Sequence, residues 1–354
     1  MLYRKLRAIN WLALLLAVLI FIALPATGQD STQAVSPDSL AKSLPVTYEF
    51  VTIDSSVKKL NMRYEPWLNL SSEQKKRRVW LVGGAHVALW GISFIALDQA
   101  WYKDYPKSSF HFFNDNREWQ QMDKAGHVWT AYQMSRISGA LWNWAGLKPH
   151  QSAWLGGLSG VAYQSIIEIQ DGFSDEWGFS WGDMAANITG SALYTAQQLL
   201  WQEQRLQVKL SYWPYDYNAP ELSARRDQLF GKSVQERILK DYNSQTYWLS
   251  ANLRSFLPNT HLPKWLNLSV GYSADGMLGG HENRWTDKGG EAHYRPDIAR
   301  TRHFYLSPDI DLTKIKTKSR FLRSALSLLN MVKIPAPTLE LTSKGKVKGH
   351  WVYF

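Results

Sequence analysis

Near residue 203 the hydrophobic period of this chain changes. Before it, apolar and small residues recur at the spacing of helix turns; after it they alternate singly with polar ones. A helix repeats every 3.6 residues and a strand every 2, so one element cannot serve both patterns. The chain is therefore expected to be α+β: an N-terminal bundle of about four apolar helices, then an antiparallel β-sheet or small β-barrel. The boundary falls between 71–203 and 204–354.

The helical part opens at Ser71-Ser72-Glu73-Gln74, which has the form of a capping box. Lys75, Lys76, Arg77 and Arg78 follow. In the run Val79 to Leu97 only His86 and Ser93 are polar. Such a run is long enough to cross a bilayer or to lie inside a bundle. Further helices are expected near 120–146, 150–170 and 181–202, with breaks at Pro149 and across Gly172–Gly182. Small residues on each (Gly139 and Ala140; Gly156, Gly157 and Gly160; Ala185, Ala186 and Gly190) allow close helix contact.

Past 205, Leu206, Val208, Leu210 and Tyr212 alternate with Gln207, Lys209 and Ser211. Leu249, Ala251 and Leu253 alternate with Ser250, Asn252 and Arg254, and Leu266, Leu268, Val270 and Tyr272 with Asn267, Ser269 and Gly271. More extended stretches are expected near 302–312, 337–342 and 346–354. Arg320 to Val332 between them reads as an amphipathic helix. The aromatic end, Trp351-Val352-Tyr353-Phe354, suits an outer-membrane barrel, although several strands are shorter than the ~9–11 residues such barrels use.

The N-terminus carries an export signal. Arg4, Lys5 and Arg7 precede an apolar run from Trp11, and Ala26-Thr27-Gly28 supplies small residues for cleavage before Gln29. Residues 1–28 are thus expected to be a signal peptide and 29–70 a flexible lead-in, its first part, 29–46, rich in Ser, Gln, Asp and Pro. The exported product belongs in the cell envelope, periplasmic or at the outer membrane. Composition narrows the function classes. With no Cys, a disulfide scaffold, a thiolate metal site, a Cys nucleophile and a lipid anchor on an N-terminal Cys are excluded. Export argues against nucleic acid as a partner, and the net charge of +10 falls to about +7 once the signal's Arg4, Lys5 and Arg7 are removed, which fits an anionic lipid or polysaccharide surface about as well as nothing at all. The 18 Trp and 17 Tyr suit a membrane interface as well as ordinary packing.

Two blocks can carry chemistry. In Met122-Asp123-Lys124-Ala125-Gly126-His127, Asp123 and His127 share a helix face. A carboxylate beside an imidazole suits a general base or a metal ligand, and Lys124 suits an anion. A helix-start acid, a surface lysine and a hydrogen-bonded histidine would also account for them. In the second block, Glu168 and Asp171 close an apolar helix, and Ser180-Trp181-Gly182-Asp183 caps the next. Glu168 stands among Ile166, Ile167 and Ile169, where a lone carboxylate is costly, so a shared polar centre of Asp123, His127, Glu168 and Asp183 is expected.

The elements Asp123-Lys124-x-x-His127, Glu168-x-x-Asp171, Phe179-Ser180-Trp181-x-Asp183 and Asn187-x-x-Gly190 resemble the pattern of the YfiM-like family of predicted periplasmic lipoproteins, and more loosely that of VanZ-like membrane proteins. The resemblance covers roughly residues 76–202. It implies an envelope location and no established reaction. The β-rich part lies outside it.

Two readings follow. In the first, the chain is a noncatalytic envelope component that binds membrane lipid or an envelope protein. In the second, it hydrolyses a lipid or lipid-linked phosphate. There His127 would act as base or metal ligand, Asp123 as its orienter and Lys124 as an anion holder, with Glu168, Asp171 and Asp183 as further acids or ligands. Within this second reading a hard-metal site on His127 and the carboxylates is a further option, and the sequence names no metal or cofactor. No Gly-x-Ser-x-Gly, phosphate loop or His-Glu-x-x-His is present. Convergence on one open pocket would favour the enzyme.

Overall fold

The computed structural model describes residues 70–102, 105–287 and 289–354. The expected signal peptide and most of the lead-in lie outside them. Four long helices come first: α1 (Ser72–Leu97), α2 (Met122–Trp144), α3 (Pro149–Gly172) and α4 (Trp181–Trp201). Ser71 caps α1 in a full capping box, Pro149 starts α3, and Ser180 caps α4 by accepting from the Asp183 amide. The bundle forms where the sequence period required it.

Helices α2, α3 and α4 pack closely where small residues meet on their shared faces. On α3 the buried positions Ser152, Gly156, Gly160, Gln164 and Glu168 recur every fourth residue. A Cβ on Gly156 would fall 2.7 Å from the Ser135 carbonyl of α2, and one on Gly190 of α4 would fall 2.2 Å from the Val128 carbonyl. The stripe is small at one end and polar at the other, and its polar end is where the site lies.

The remainder is β1 (Leu206–Tyr212), α5 (Pro220–Phe230), α6 (Val234–Lys240), β2 (Gln245–Asn252), the short α7 (Leu253–Phe256), β3 (Leu266–Asp275), the β4 (Arg284–Thr286) and β5 (Ala292–Tyr294) hairpin, β6 (Thr301–Ile310), α8 (Arg320–Leu329), β7 (Ala336–Thr342) and β8 (Val347–Tyr353). The main sheet is antiparallel, in the order β1-β2-β3-β6-β7-β8. Among the described residues it is open, so the small-barrel alternative is corrected. The outer edge of β1 is occupied by residues 331–333: Leu210 N–H donates to the Met331 carbonyl and Lys333 N–H to the Leu210 carbonyl. That edge is therefore not available to β8. Helices α5, α6 and α7 are a second departure, since the region after 205 reads as strands apart from 320–332.

The sheet is inside-out. Its buried face carries Lys209, Ser250, Asn252, Asn267, Ser269, Ser307, Asp309, Thr338 and Glu340, with Trp248 among them. Leu249, Leu268, Val270, Phe304, Leu306, Leu339 and Leu341 are exposed on the alternate positions. Near β1 this apolar face finds cover, where Leu210 and Tyr247 pack with Met122, Ala274 and Met277 beside the start of α2.

The chain enters α2 through three consecutive left-handed residues, Trp119, Gln120 and Gln121, with φ of 46°, 53° and 62°. Sheet residues and the loops that follow them hold the turn. Trp119 N–H donates to the Gly280 carbonyl, Tyr272 Oη to the Gln120 carbonyl at 2.5 Å, and Arg302 Nη2 to Gln121 Oε1 at 2.6 Å.

Candidate functional site

Each expected residue reaches the site for a local reason. Asp123 and His127 occupy the first turns of α2 on the face turned to α3 and α4. Glu168 is the last polar position of the α3 stripe. Asp183 lies in the first turn of α4, below the Ser180 cap. The chain reversal between α3 and α4 brings Glu168 and Asp183 together, and His127 stands between them. Its Nδ1 is 3.6 Å from Glu168 Oε1 and its Nε2 is 3.6 Å from Asp183 Oδ1. The shared polar centre is present.

Lys124 completes an outer group. Its Nζ lies 2.6 Å from Asp115, 3.0 Å from Asp123 and 2.8 Å from Asp183. It is an internal counter-ion and not a free anion holder. Asp115 escaped the sequence reading because it sits in a loop, where no periodicity marks it. Ser180 Oγ donates to it at 2.6 Å. Asn187 and Gln164 line the inner side: Gln164 Nε2 donates to Asn187 Oδ1 at 3.1 Å, and that oxygen lies 3.0 Å from His127 Nδ1. Asp171 stands apart from His127's immediate contacts and accepts a 2.5 Å bond from Tyr102 Oη.

The electrostatics follow from burial. Glu168 is fully buried, and desolvation, reinforced by the charges of Asp183 and Asp171, pushes its carboxyl up to about 9. Desolvation also raises Asp183 to about 7, against the pull of His127, and Asp171 to about 6, against the Tyr102 hydrogen bond. Burial would raise Asp115 too, but hydrogen bonds with Asp183, Lys124 and Ser180 hold it below its ordinary value. For Lys124 burial acts downward, yet Asp123 and Asp183 outweigh it and raise the ammonium further.

One oxygen each of Glu168 and Asp183 and one ring nitrogen of His127 lie within 4.8 Å of one another, a donor set able to hold a cation. Beside this centre, a cavity of about 610 Å³ is lined by Phe94, Ile95, Tyr102, Ile169 and Phe173, among others. Tyr102, which donates to Asp171, lines it, whereas His127, Glu168 and Asp183 do not.

Residues 111–198 match a protein family described as predicted periplasmic lipoprotein (DUF2279). The match spans the whole centre from Asp115 to Asn187. It supports an exported envelope protein of unknown activity. No curated protein and no solved structure matches the chain.

Proposed function

We propose that this protein is an envelope component that seats an apolar outer surface in a lipid bilayer, with the helical centre as its internal polar core. The observation that carries this reading is the inversion of polarity. In the sheet, charged and amide side chains are buried while alternate Leu, Val and Phe are exposed. Helix α1 repeats the pattern: His86 and Ser93 are buried, whereas Trp80, Val87, Ile92 and Ile95 are exposed. Water favours the opposite arrangement at about 25 cal/mol per Å² of apolar surface, and hydrocarbon favours this one. Among the described residues α1 is the one helix long and apolar enough to cross a membrane. Helix α8 adds exposed Phe321, Leu322 and Leu329 beside the basic Lys316, Lys318, Arg320 and Arg323, the composition of a helix lying on an anionic lipid surface.

The spaced elements from Asp123 to Gly190 support a YfiM-like assignment within the envelope, and the exposed apolar helix faces favour the VanZ-like kinship over a fully water-dissolved form. The hydrolase reading ranks second. Convergence of His127 with carboxylates favours it, but the centre does not open onto the neighbouring cavity.

Flotation of the full chain with vesicles of phosphatidylethanolamine and phosphatidylglycerol tests the proposal. The wild type is expected to float and to resist carbonate extraction. Val270→Glu, Leu306→Glu and Leu339→Glu together should cut flotation by roughly 10-fold with the circular dichroism unchanged. A wild type that stays monomeric in detergent-free buffer and ignores vesicles would overturn it.

A further inference from the structure

We infer that His127, Glu168 and Asp183 form a binding site for one divalent transition-metal ion, of the kind that accepts mixed imidazole and carboxylate ligands. This goes beyond lipid attachment and does not depend on it. Five carboxylates, from Asp115, Asp123, Glu168, Asp171 and Asp183, are gathered where, among the described residues, Lys124 is the lysine in contact. Lys124 contacts only Asp115, Asp123 and Asp183 among them. Among the described residues, Glu168 on the inner side is paired with His127 and with no lysine or arginine.

The second observation concerns orphaned atoms. Glu168 is fully buried and its Oε1 accepts no hydrogen bond. Gln164, which is 2% exposed, has an unpartnered Oε1 in the same polar stretch of the bundle. Buried oxygens without donors are uncommon in folded proteins, and one on a carboxylate facing an imidazole is the arrangement a cation completes. The three candidate ligand atoms already lie within 4.8 Å of one another, so metal bonds of about 2.0–2.2 Å require movements of only a few tenths of an ångström to about 1 Å. Asn187 Oδ1, 3.0 Å from His127 Nδ1, steadies the ring between the two carboxylates, the kind of supporting contact that metal-bound histidines usually have. The donors contain no thiolate, which points to zinc or manganese over copper(I).

The test uses the full chain in detergent micelles, stripped with a chelator and titrated calorimetrically with Zn²⁺ and Mn²⁺. The wild type should bind one ion per chain, and that ion should raise its melting temperature. Glu168→Gln and Asp183→Asn should each weaken binding by at least about 10-fold and abolish the melting shift. Asp287→Asn is the control for adventitious binding, because Asp287, Glu291 and His293 form a separate, more exposed acidic group; it should leave the affinity unchanged. No saturable binding by the wild type, wild-type affinity in Glu168→Gln, or loss of the ion in Asp287→Asn would each overturn the inference.

Discussion

Lys209 Nζ lies 2.7 Å from Asp309 Oδ2, and neither side chain reaches solvent. The pair joins β1 to β6 across the buried side of the sheet, with Ser250 Oγ donating to the same carboxylate oxygen at 2.6 Å. A buried pair of this kind is costly to break because one charge is left alone. Asp309→Asn should therefore lower stability by about 3–5 kcal/mol, read from denaturant unfolding in micelles. The double variant Lys209→Met/Asp309→Leu should recover most of that loss.

Lys333 shares this carboxylate's field, and its ammonium lies 4.6 Å from the centre of the Trp248 ring. Burial, opposed by Asp309 and reinforced by Lys209, brings its pKa down to about 8 from 10.5. Folding therefore releases a proton between those values, and stability should rise with pH across the window. The expected gain from pH 8 to 10 is of order 1–2 kcal/mol. Lys333→Met should flatten the profile in parallel unfolding measurements.

His303 sits between Asp275, 3.2 Å from its Nε2, and Glu340, 2.6 Å from its Nδ1. Burial pulls its pKa down, but the two carboxylates prevail and raise it. The ion pairs should contribute fully below about pH 6.5 and fade as pH rises through the raised folded value. In Glu340→Gln, an NMR titration of the His303 ring should shift to lower pH.

The helix contacts predict opposite outcomes for two glycines. Gly156→Ala would force a methyl to within 2.7 Å of the Ser135 carbonyl, so a loss of about 1–3 kcal/mol is expected. Gly83 of α1 has nothing within 4 Å of a built Cβ, and Gly83→Ala should stabilise by about 0.5–1 kcal/mol. Melting of both variants in the same micelles checks the contrast.

The helices α2 to α4 and the strands β3, β6, β7 and β8 were legible because their periods are clean and their caps are local. The centre was legible for a related reason: Asp123 with His127, and Glu168 among isoleucines, are helical spacings that admit few arrangements. Asp115 was not, since a loop residue acquires meaning only from what the fold brings beside it. The α5 and α6 helices carried signals that went unread, Pro220 at a first turn and Ser233 with Glu236 as a capping box. Alternation in β3 showed that its two faces differ, but Leu268 and Val270 are exposed while Asn267 and Ser269 are buried. A period of two says nothing about which face meets solvent, because that depends on whether the solvent is water or hydrocarbon.

The left-handed turn at Trp119–Gln121 sets an order of assembly. Non-glycine residues resist that conformation by about 1–2 kcal/mol each, and the partners that hold them come from Tyr272, Gly280 and Arg302, well over a hundred residues later. A nascent chain that has emerged only as far as α4 can build its helices but has no reason to keep this turn. Asp123 and Lys124, two and three residues beyond it, then lack their fixed starting point. Registration of the acidic centre is thus a late event in synthesis, conditional on β3, β6 and the loop between them.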